Sequence, residues 1–515
     1  MSPNHDILEK TILHNRKLNR WADVLASEQH RITTAAVEAS ASFQVDKTAR
    51  IVTAPVNRLP NEILTEVMVI ARDLDTTSPM KWIALTHVCR HWREMALATP
   101  MLWSTIHARV SLPYLCASLE RAADALVSLS IYDTRPAVTK VIQANAVRIV
   151  SLTTYTYCLQ LLAIFMPRLQ KLELHGNGHP YILLHSRNEH LPQLRTLLLD
   201  SLSLPLSSPW LKKLTRLELS RHPHYLIETN FTEFLNALNS CVDLEILKID
   251  QRSGDHPGFT DDLPSSNVAF LPKLRILGLI GKIDDLNILL RHLVFPPTIY
   301  IQLEGAANYY WDEEAGPTVA VVLPPTPTLS SLLKTASTLE LTASSNLELQ
   351  AWRHEETEPM CSTRIEMAEW GPSGSTLFQT SLFEVVHLFS DAQVKCLALA
   401  GPQALLHIDA WTQIFSTFPT LTRLELHGNG CIGDFIQIFG ARAGESLVCP
   451  GLVSLKLGYL LTYEASDLAR ALASRIERGR KLYCLQIVQG AICGAATLIL
   501  PTLAEVVDAV EIVHT

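Results

Sequence analysis

From about residue 111 onward the chain repeats one short pattern, L-x-x-L-x-L, and any fold it adopts must bury that pattern many times over. Well-formed copies are Leu126/Leu129/Ile131, Leu169/Leu172/Leu174, Leu194/Leu197/Leu199, Leu214/Leu217/Leu219, Leu244/Leu247/Ile249 and Leu274/Leu277/Leu279. The pattern resumes at Leu421/Leu424/Leu426, Leu452/Leu455/Leu457 and Leu482/Leu485/Ile487. Weaker copies fill the gaps: Val147/Val150/Leu152, Ile301/Leu303, Leu339/Leu341, Ile365/Met367 and Val394/Leu397/Leu399. Consecutive well-formed copies stand 20 to 31 residues apart. The L-x-L alternation suits a strand with one buried face, and the stretch after each copy leaves room for a turn and a helix. Phe231 to Leu238, Asp284 to Leu293 and Tyr463 to Ile476 are expected to be such helices.

A strand and a helix at this period are the signature of a leucine-rich-repeat solenoid, in which each unit buries its apolar face only against its neighbours. The repeats are irregular, and most lack the turn Asn of tidier arrays. Two stretches are expected to be irregular insertions. One lies near 304–330, with Tyr309-Tyr310-Trp311, Asp312-Glu313-Glu314 and Pro324-Pro325; the other lies near 352–375, with Glu355, Glu356 and Glu358. Two copies share the heptapeptide Leu-Glu-Leu-His-Gly-Asn-Gly, at 172–178 and at 424–430. Its Gly-Asn-Gly is expected to supply positive-φ positions for a sharp exit from a strand.

The bulk numbers narrow the function. Residues 1–110 hold 13 Lys and Arg against 11 Asp and Glu, a net of +2, and the remainder holds 30 against 40, a net of −10 within the −8 of the whole chain. A mildly acidic body does not suit a phosphate backbone, so nucleic acid is not expected as a partner. The start, MSPNHDILEK, shows no cationic segment leading into an apolar one. The most apolar window, Cys158 to Met166, is about half the length a membrane helix needs, and no membrane partner is expected. Ten cysteines are scattered without a C-x-x-C pair. Several, Cys396 and Cys484 among them, read as reduced core thiols, which points to cytosol or nucleus.

Chemical motifs are weak throughout. Gly428-Asn-Gly430-Cys-Ile-Gly433 matches G-x-G-x-x-G, but no acidic residue stands at the distance a dinucleotide fingerprint needs. His354-Glu355-Glu356 begins like a zinc helix, yet Glu358 stands where a second His is required. His222-Pro223-His224 lacks further ligands, and Asp261-Asp262 has no visible reason to be desolvated. No enzyme, cofactor or metal site is expected.

The region before the repeats is different. Residues 1–50 form a helical segment in which Leu18, Leu25 and Ile32 recur every seven positions. A coiled coil and a helix packed on the neighbouring module both fit. Residues 51–110 then hold three landmarks in order: Leu59-Pro60-Asn61-Glu62-Ile63-Leu64, Val88-Cys89-Arg90-His91-Trp92-Arg93 and Pro100-Met101-Leu102-Trp103. Pro at a helix start, apolar residues at helical spacing and two buried-type tryptophans describe a small helical module.

This order of motifs resembles the F-box-like modules common in fungal proteins. The fold class expected is therefore α/β, a small all-helical F-box-like module followed by an irregular leucine-rich-repeat (strand–helix) solenoid over 111–515. The resemblance implies docking onto the Skp-type adaptor of a cullin ubiquitin ligase. By motif position it implies that Leu59, Pro60, Ile63, Leu64 and Val88 face the adaptor, while Cys89 and Trp92 divide between contact and core. It also implies that the repeats capture a substrate protein for ubiquitin transfer, the chain itself contributing proximity rather than chemistry. One departure is a longer connection between the first two helices, Arg72 to Trp82. The rival reading is a repeat scaffold that binds partners without any ligase.

Overall fold

The leucine pattern becomes strand after strand in the computed structural model. The structure describes residues 31, 34, 59–74, 81–108, 111–133, 135–176, 190–202, 210–221, 231–251, 267–306, 318–344, 346–354, 356–366, 374–402, 406–428, 431–440, 447–458, 460–488 and 501–513. The chain divides into two compact units, one comprising Met1–His107 and Pro113–Ala125, the other Ala108–Leu112 and Leu126–Thr515.

The second unit is built on a long, mostly parallel sheet. Its first eight strands are β1 (Val127–Ile131), β2 (Ile149–Tyr155), β3 (Lys171–His175), β4 (Thr196–Asp200), β5 (Arg216–Ser220), β6 (Ile246–Asp250), β7 (Ile276–Lys282) and β8 (Tyr300–Ala306). Each pairs in parallel with the next. Register stacks the leucines in ladders: Leu152, Leu172, Leu197, Leu217, Leu247 and Leu277 form one continuous row. All six are fully buried. The intervening positions alternate to the opposite, half-exposed side, as the period of two requires.

After β8 come β9 (Thr338–Ala343), β10 (Asn346–Trp352) and β11 (Cys361–Glu366), then β12 (Cys396–Ala400), β13 (Arg423–Leu426), β14 (Ser454–Leu457), β15 (Leu482–Val488) and β16 (Val507–Val513). Parallel order is broken at one place. β11 lies parallel against β8, β10 runs antiparallel to both β11 and β9, and β9 lies parallel against β12. From β12 to β16 the array is parallel again.

Several sequence expectations change here. The copies at Leu339/Leu341 and Ile365 do form strands, but as parts of this meander rather than as successive parallel repeats; Met367 lies outside the described residues. The reason is connection length: Ala343 and Asn346 are separated by two residues, which suit a hairpin and cannot carry a parallel crossover. The stretch 352–375, expected to be an irregular insertion, contains β11. The stretch 304–330 holds the end of β8 and the helices Val319–Val322 and Pro327–Leu333; Tyr309 to Glu314 lie outside the described residues. Leu126, the first leucine of its copy, is 46% exposed. Cys396 and Cys484 are half-buried on the side opposite the leucines, because Leu397 and Leu485 take the inward positions beside them. Among the described residues the buried thiols are Cys158, Cys241, Cys361 and Cys449, and burial pushes Cys241 and Cys449 up to about 12.

Helices return the chain between strands where the spacing permits. Phe231–Asn239, Ile283–Arg291, Ile408–Thr417, Gly433–Phe439 and Thr462–Glu477 are examples. Between β4 and β5, where consecutive copies are only 20 residues apart, the described connection has a single turn of 3-10 helix, Leu211–Lys213. On the helical side, Trp411, Phe415, Phe435 and Phe439 pack ring on ring at centroid separations from 5.1 to 6.2 Å.

Gly176 is needed for a different reason from the one its motif suggests. It does not have positive φ; a Cβ there would strike the carbonyl oxygen of Ser201, so the position requires close backbone approach. Asn177, Gly178, Asn429 and Gly430 lie outside the described residues, as does the heptad segment apart from Arg31 and Thr34.

Candidate functional site

The first unit must serve two apolar surfaces with one small set of helices. Its first helix, α1 (Asn61–Leu74), starts just after Pro60, whose carbonyl accepts from the Leu64 amide at 3.0 Å. Leu64 and Met68, one turn apart, are each 1% exposed and belong to the unit's core. Ile63, Val67, Ile70 and Leu74 follow the spacing i, i+4, i+7, i+11 and form a second stripe on another face. That stripe is open to solvent, at 45, 42, 50 and 77% exposure.

The core explains why the stripe stays outside. Besides Leu64 and Met68 it contains Trp82, Trp92, Ala96, Leu102, Trp103 and Ile106. Trp82, from the 3-10 helix Lys81–His87, meets Trp103 edge-on at 5.1 Å. The Trp103 indole N–H donates to the carbonyl of Ala96 in α2 (Arg90–Ala98) at 2.8 Å. The guanidinium of Arg121, at the end of α3 (Leu112–Arg121), lies 4.4 Å from the Trp103 ring centre. Arg72, in the last turn of α1, donates to the Met101 carbonyl and so ties that helix to the 3-10 turn Pro100–Trp103. Large aromatics thus fill the interior, and the second stripe has no place in it.

The residues singled out from sequence separate into two groups. Leu59, Pro60, Ile63 and Val88 are exposed. Leu64 and Trp92 are buried, which turns them away from any partner on the surface. Cys89 is half-buried and caps α2, its Sγ accepting from the Trp92 amide at 3.5 Å. The adaptor-facing set implied by the motif leaves out Val67, Ile70 and Leu74, although their spacing from Ile63 carries the signal. It also leaves out Met101, which is 59% exposed. The connection after α1 is shorter than it reads, since Asp73 and Leu74 are still helical; residues 75–80 lie outside the described residues.

A second, polar arrangement occupies the half-exposed side of the strands in the other unit. His175 at the end of β3 sits between two carboxylates, with Nε2 3.3 Å from Glu173 and Nδ1 3.2 Å from Asp200 at the end of β4. Lys171 lies 3.1 Å from Glu173, and Arg221 pairs through two nitrogens with Asp200. The His175 imidazole holds the Glu173 carboxyl at about 2, against the opposing effect of burial and with help from Lys171. Glu173 and then Asp200 raise the pKa of His175. Burial opposes ionisation of Asp200, but Arg221 and His175 outweigh it and lower its pKa. The second heptapeptide repeats the theme: His427 lies 2.8 Å from Glu425, which it holds at about 2 with support from Arg423 and Lys456.

The glycine pattern at 428–433 leads into a helix of seven residues, Gly433–Phe439. The Ile432 amide just before it donates to the buried carboxylate of Glu464 at 2.6 Å, and Glu464 also accepts from the Leu461 amide at 3.1 Å. A phosphate at that turn would meet this carboxylate. His222-Pro223-His224, Glu355 and Asp261-Asp262 lie outside the described residues. Among the described residues no helix is long and apolar enough to cross a membrane.

Comparison with known families places an F-box-like domain at residues 56–109, a span that holds α1, α2 and all three motif pieces. No curated protein matches the chain. F-box domains generally bind Skp-type adaptors, and the matched domain fits a role in a Skp–cullin–F-box type ubiquitin ligase.

Proposed function

We propose that this protein is the substrate-recognition subunit of a Skp–cullin–F-box type ubiquitin ligase, working in the cytosol or nucleus. The observation that carries the reading is the solvent-facing stripe Ile63, Val67, Ile70 and Leu74, in a domain that also exposes Leu59 and Val88. Contiguous apolar side chains on a small module are costly to leave in water and are characteristic of a surface with a partner. Within an F-box-like domain the natural partner is the Skp-type adaptor. We read the parallel strand–helix array behind it as an irregular leucine-rich-repeat solenoid that holds the substrate protein. The chain supplies no nucleophile and no cofactor in this account. It raises the local concentration of substrate beside the ubiquitin-loaded E2.

The test is co-purification of the full chain with a Skp-type adaptor, wild type against the double variant Leu59→Ala/Pro60→Ala. Both residues are exposed, so the variant should keep its thermal transition while losing the adaptor. A folded variant that still binds at full strength would overturn the docking assignment. An intact wild-type chain that never binds the adaptor would favour a scaffold outside any ligase.

A further inference from the structure

The outermost strand of the array, β16, pairs in parallel with β15 along one edge and has no strand partner on the other among the described residues. A free edge leaves a row of backbone N–H and C=O groups open to pairing. Register sets Val510 beside Leu485 and Ile512 beside Ile487, on the side of the sheet that buries the leucines. Leu485 and Ile487 are buried, yet Val510 is only half-buried and Ile512 is 46% exposed. The inward side chains of β1, Val127, Leu129 and Ile131, are all buried. The apolar row thus runs on to a strand where water reaches it, and one more strand laid against β16 would cover it as each repeat covers its neighbour.

The opposite side of β16 bears on the charge of such a strand. Glu425, Lys456, Gln486 and Glu511 form one register row across β13 to β16. On this side of the sheet carboxylates pair with a lysine of the next strand: Lys456 lies 3.4 Å from Glu425, and Lys248 of β6 lies 3.8 Å from its register partner Glu218 of β5. Glu511 has Gln486 as its strand neighbour, whose Nε2 donates to it at 2.9 Å, and it makes no ion pair among the described residues. Asp508 differs, being paired with Lys481 at 2.6 Å. A lysine or arginine opposite Glu511 would complete the row. A second copy of β16 has only Asp508 and Glu511 as charged residues and so offers no cation.

We propose that the free edge of β16 takes up an extended segment of a partner protein as an added strand, with aliphatic side chains against Val510 and Ile512 and a lysine or arginine against Glu511. The edge belongs to the second unit, so this docking is independent of any adaptor bound by the first.

The test uses the full chain and short fluorescein-labelled peptides: valine alternating with lysine, valine with glutamate, serine with lysine, and the valine–lysine peptide with its backbone amides methylated. Anisotropy titration should show the valine–lysine peptide binding at least tenfold more tightly than each of the other three. Glu511→Lys should reverse the preference between lysine and glutamate peptides, whereas Glu505→Lys, at an exposed position just before the strand, should leave it within twofold. Ile512→Ser should weaken the valine–lysine peptide at least fivefold. Equal binding of the lysine and glutamate peptides, or of the methylated and unmethylated ones, overturns the proposal. So does the absence of binding to any peptide, and so does an equal reversal in Glu511→Lys and Glu505→Lys. A wild-type dimer in sedimentation that Ile512→Ser abolishes would assign the edge to a second copy and also overturn it. If the peptide preferences are found but no adaptor binds, the receptor reading fails and this inference stands.

Discussion

Ile63 and Leu64 are consecutive in the chain and face opposite environments: Leu64 is 1% exposed and Ile63 is 45% exposed. One apolar pair thus divides between holding the small module together and presenting it. Truncating Leu64 to Ala should destabilise the module by roughly 2–5 kcal/mol, as for other buried leucines. Ile63→Ala should stay within about 0.5 kcal/mol of wild type, as for other surface changes. Denaturant unfolding followed by tryptophan fluorescence separates the two, since Trp82, Trp92 and Trp103 all lie in that core.

Trp103 binds three partners at once, Trp82 by its edge, Ala96 through the indole N–H and Arg121 over its face. Trp103→Phe keeps a ring but removes the donor, leaving the Ala96 carbonyl with the Thr99 amide alone. Loss of one such hydrogen bond costs about 0.5–1.5 kcal/mol. The same unfolding experiment should show a lower midpoint, and an unchanged midpoint would mean the hydrogen bond contributes nothing.

The ionic group on β3 and β4 has a definite pH dependence. Glu173 titrates at about 2 in the fold, below its ordinary 4.5, so its stabilisation is complete above 4.5 and disappears as pH falls toward 2. His175 is raised above its ordinary 6.5, so its contribution is complete below 6.5 and disappears as pH rises through the elevated value. The pair is therefore worth most between about pH 4.5 and 6.5, as the sign of the two shifts requires. Glu173→Gln should cost more stability at pH 5.5 than at pH 9. In NMR titration the His175 ring should protonate above the ordinary histidine range and move down in Asp200→Asn.

Gly176 and Gly451 offer a matched comparison. A methyl at Gly176 collides with the Ser201 carbonyl, whereas at Gly451 the nearest atom is 3.7 Å away. Gly176→Ala should lose about 1–3 kcal/mol, the usual range for overpacking. Gly451→Ala should be nearly neutral. A thermal melt of each variant gives the comparison directly.

Much of this architecture could be read from residues alone, and the places where reading stopped have physical causes. Leu172, Leu197, Leu217 and Leu247 announce their strands because a period of two is unambiguous when one face is buried. The order of β9, β10 and β11 was hidden, because Leu339/Leu341 and Ile365 alternate in the same way whether a strand pairs parallel or antiparallel. Only the two-residue gap between β9 and β10 reveals the reversal. Leu64 and Trp92 illustrate a different limit. A motif records which residues occur together, and it mixes those that build the module with those that meet its partner. The spacing of Ile63, Val67, Ile70 and Leu74 was visible, yet it defines a partner face only once the tryptophans are seen to fill the core. The pairing of His175 with Asp200 depends on strand register, which brings Asp200 beside it from 25 residues away.

Docking of a Skp-type adaptor on the exposed stripe of α1 is the step on which the proposed receptor role depends. Calorimetric titration of the adaptor into wild-type chain and into Ile63→Asp/Val67→Asp measures it most directly. Measurable binding to the wild type is expected, with a loss of at least about 2 kcal/mol in the variant, roughly thirtyfold in Kd, and an unchanged unfolding midpoint. Equal affinity of the two folded proteins for the adaptor would contradict it.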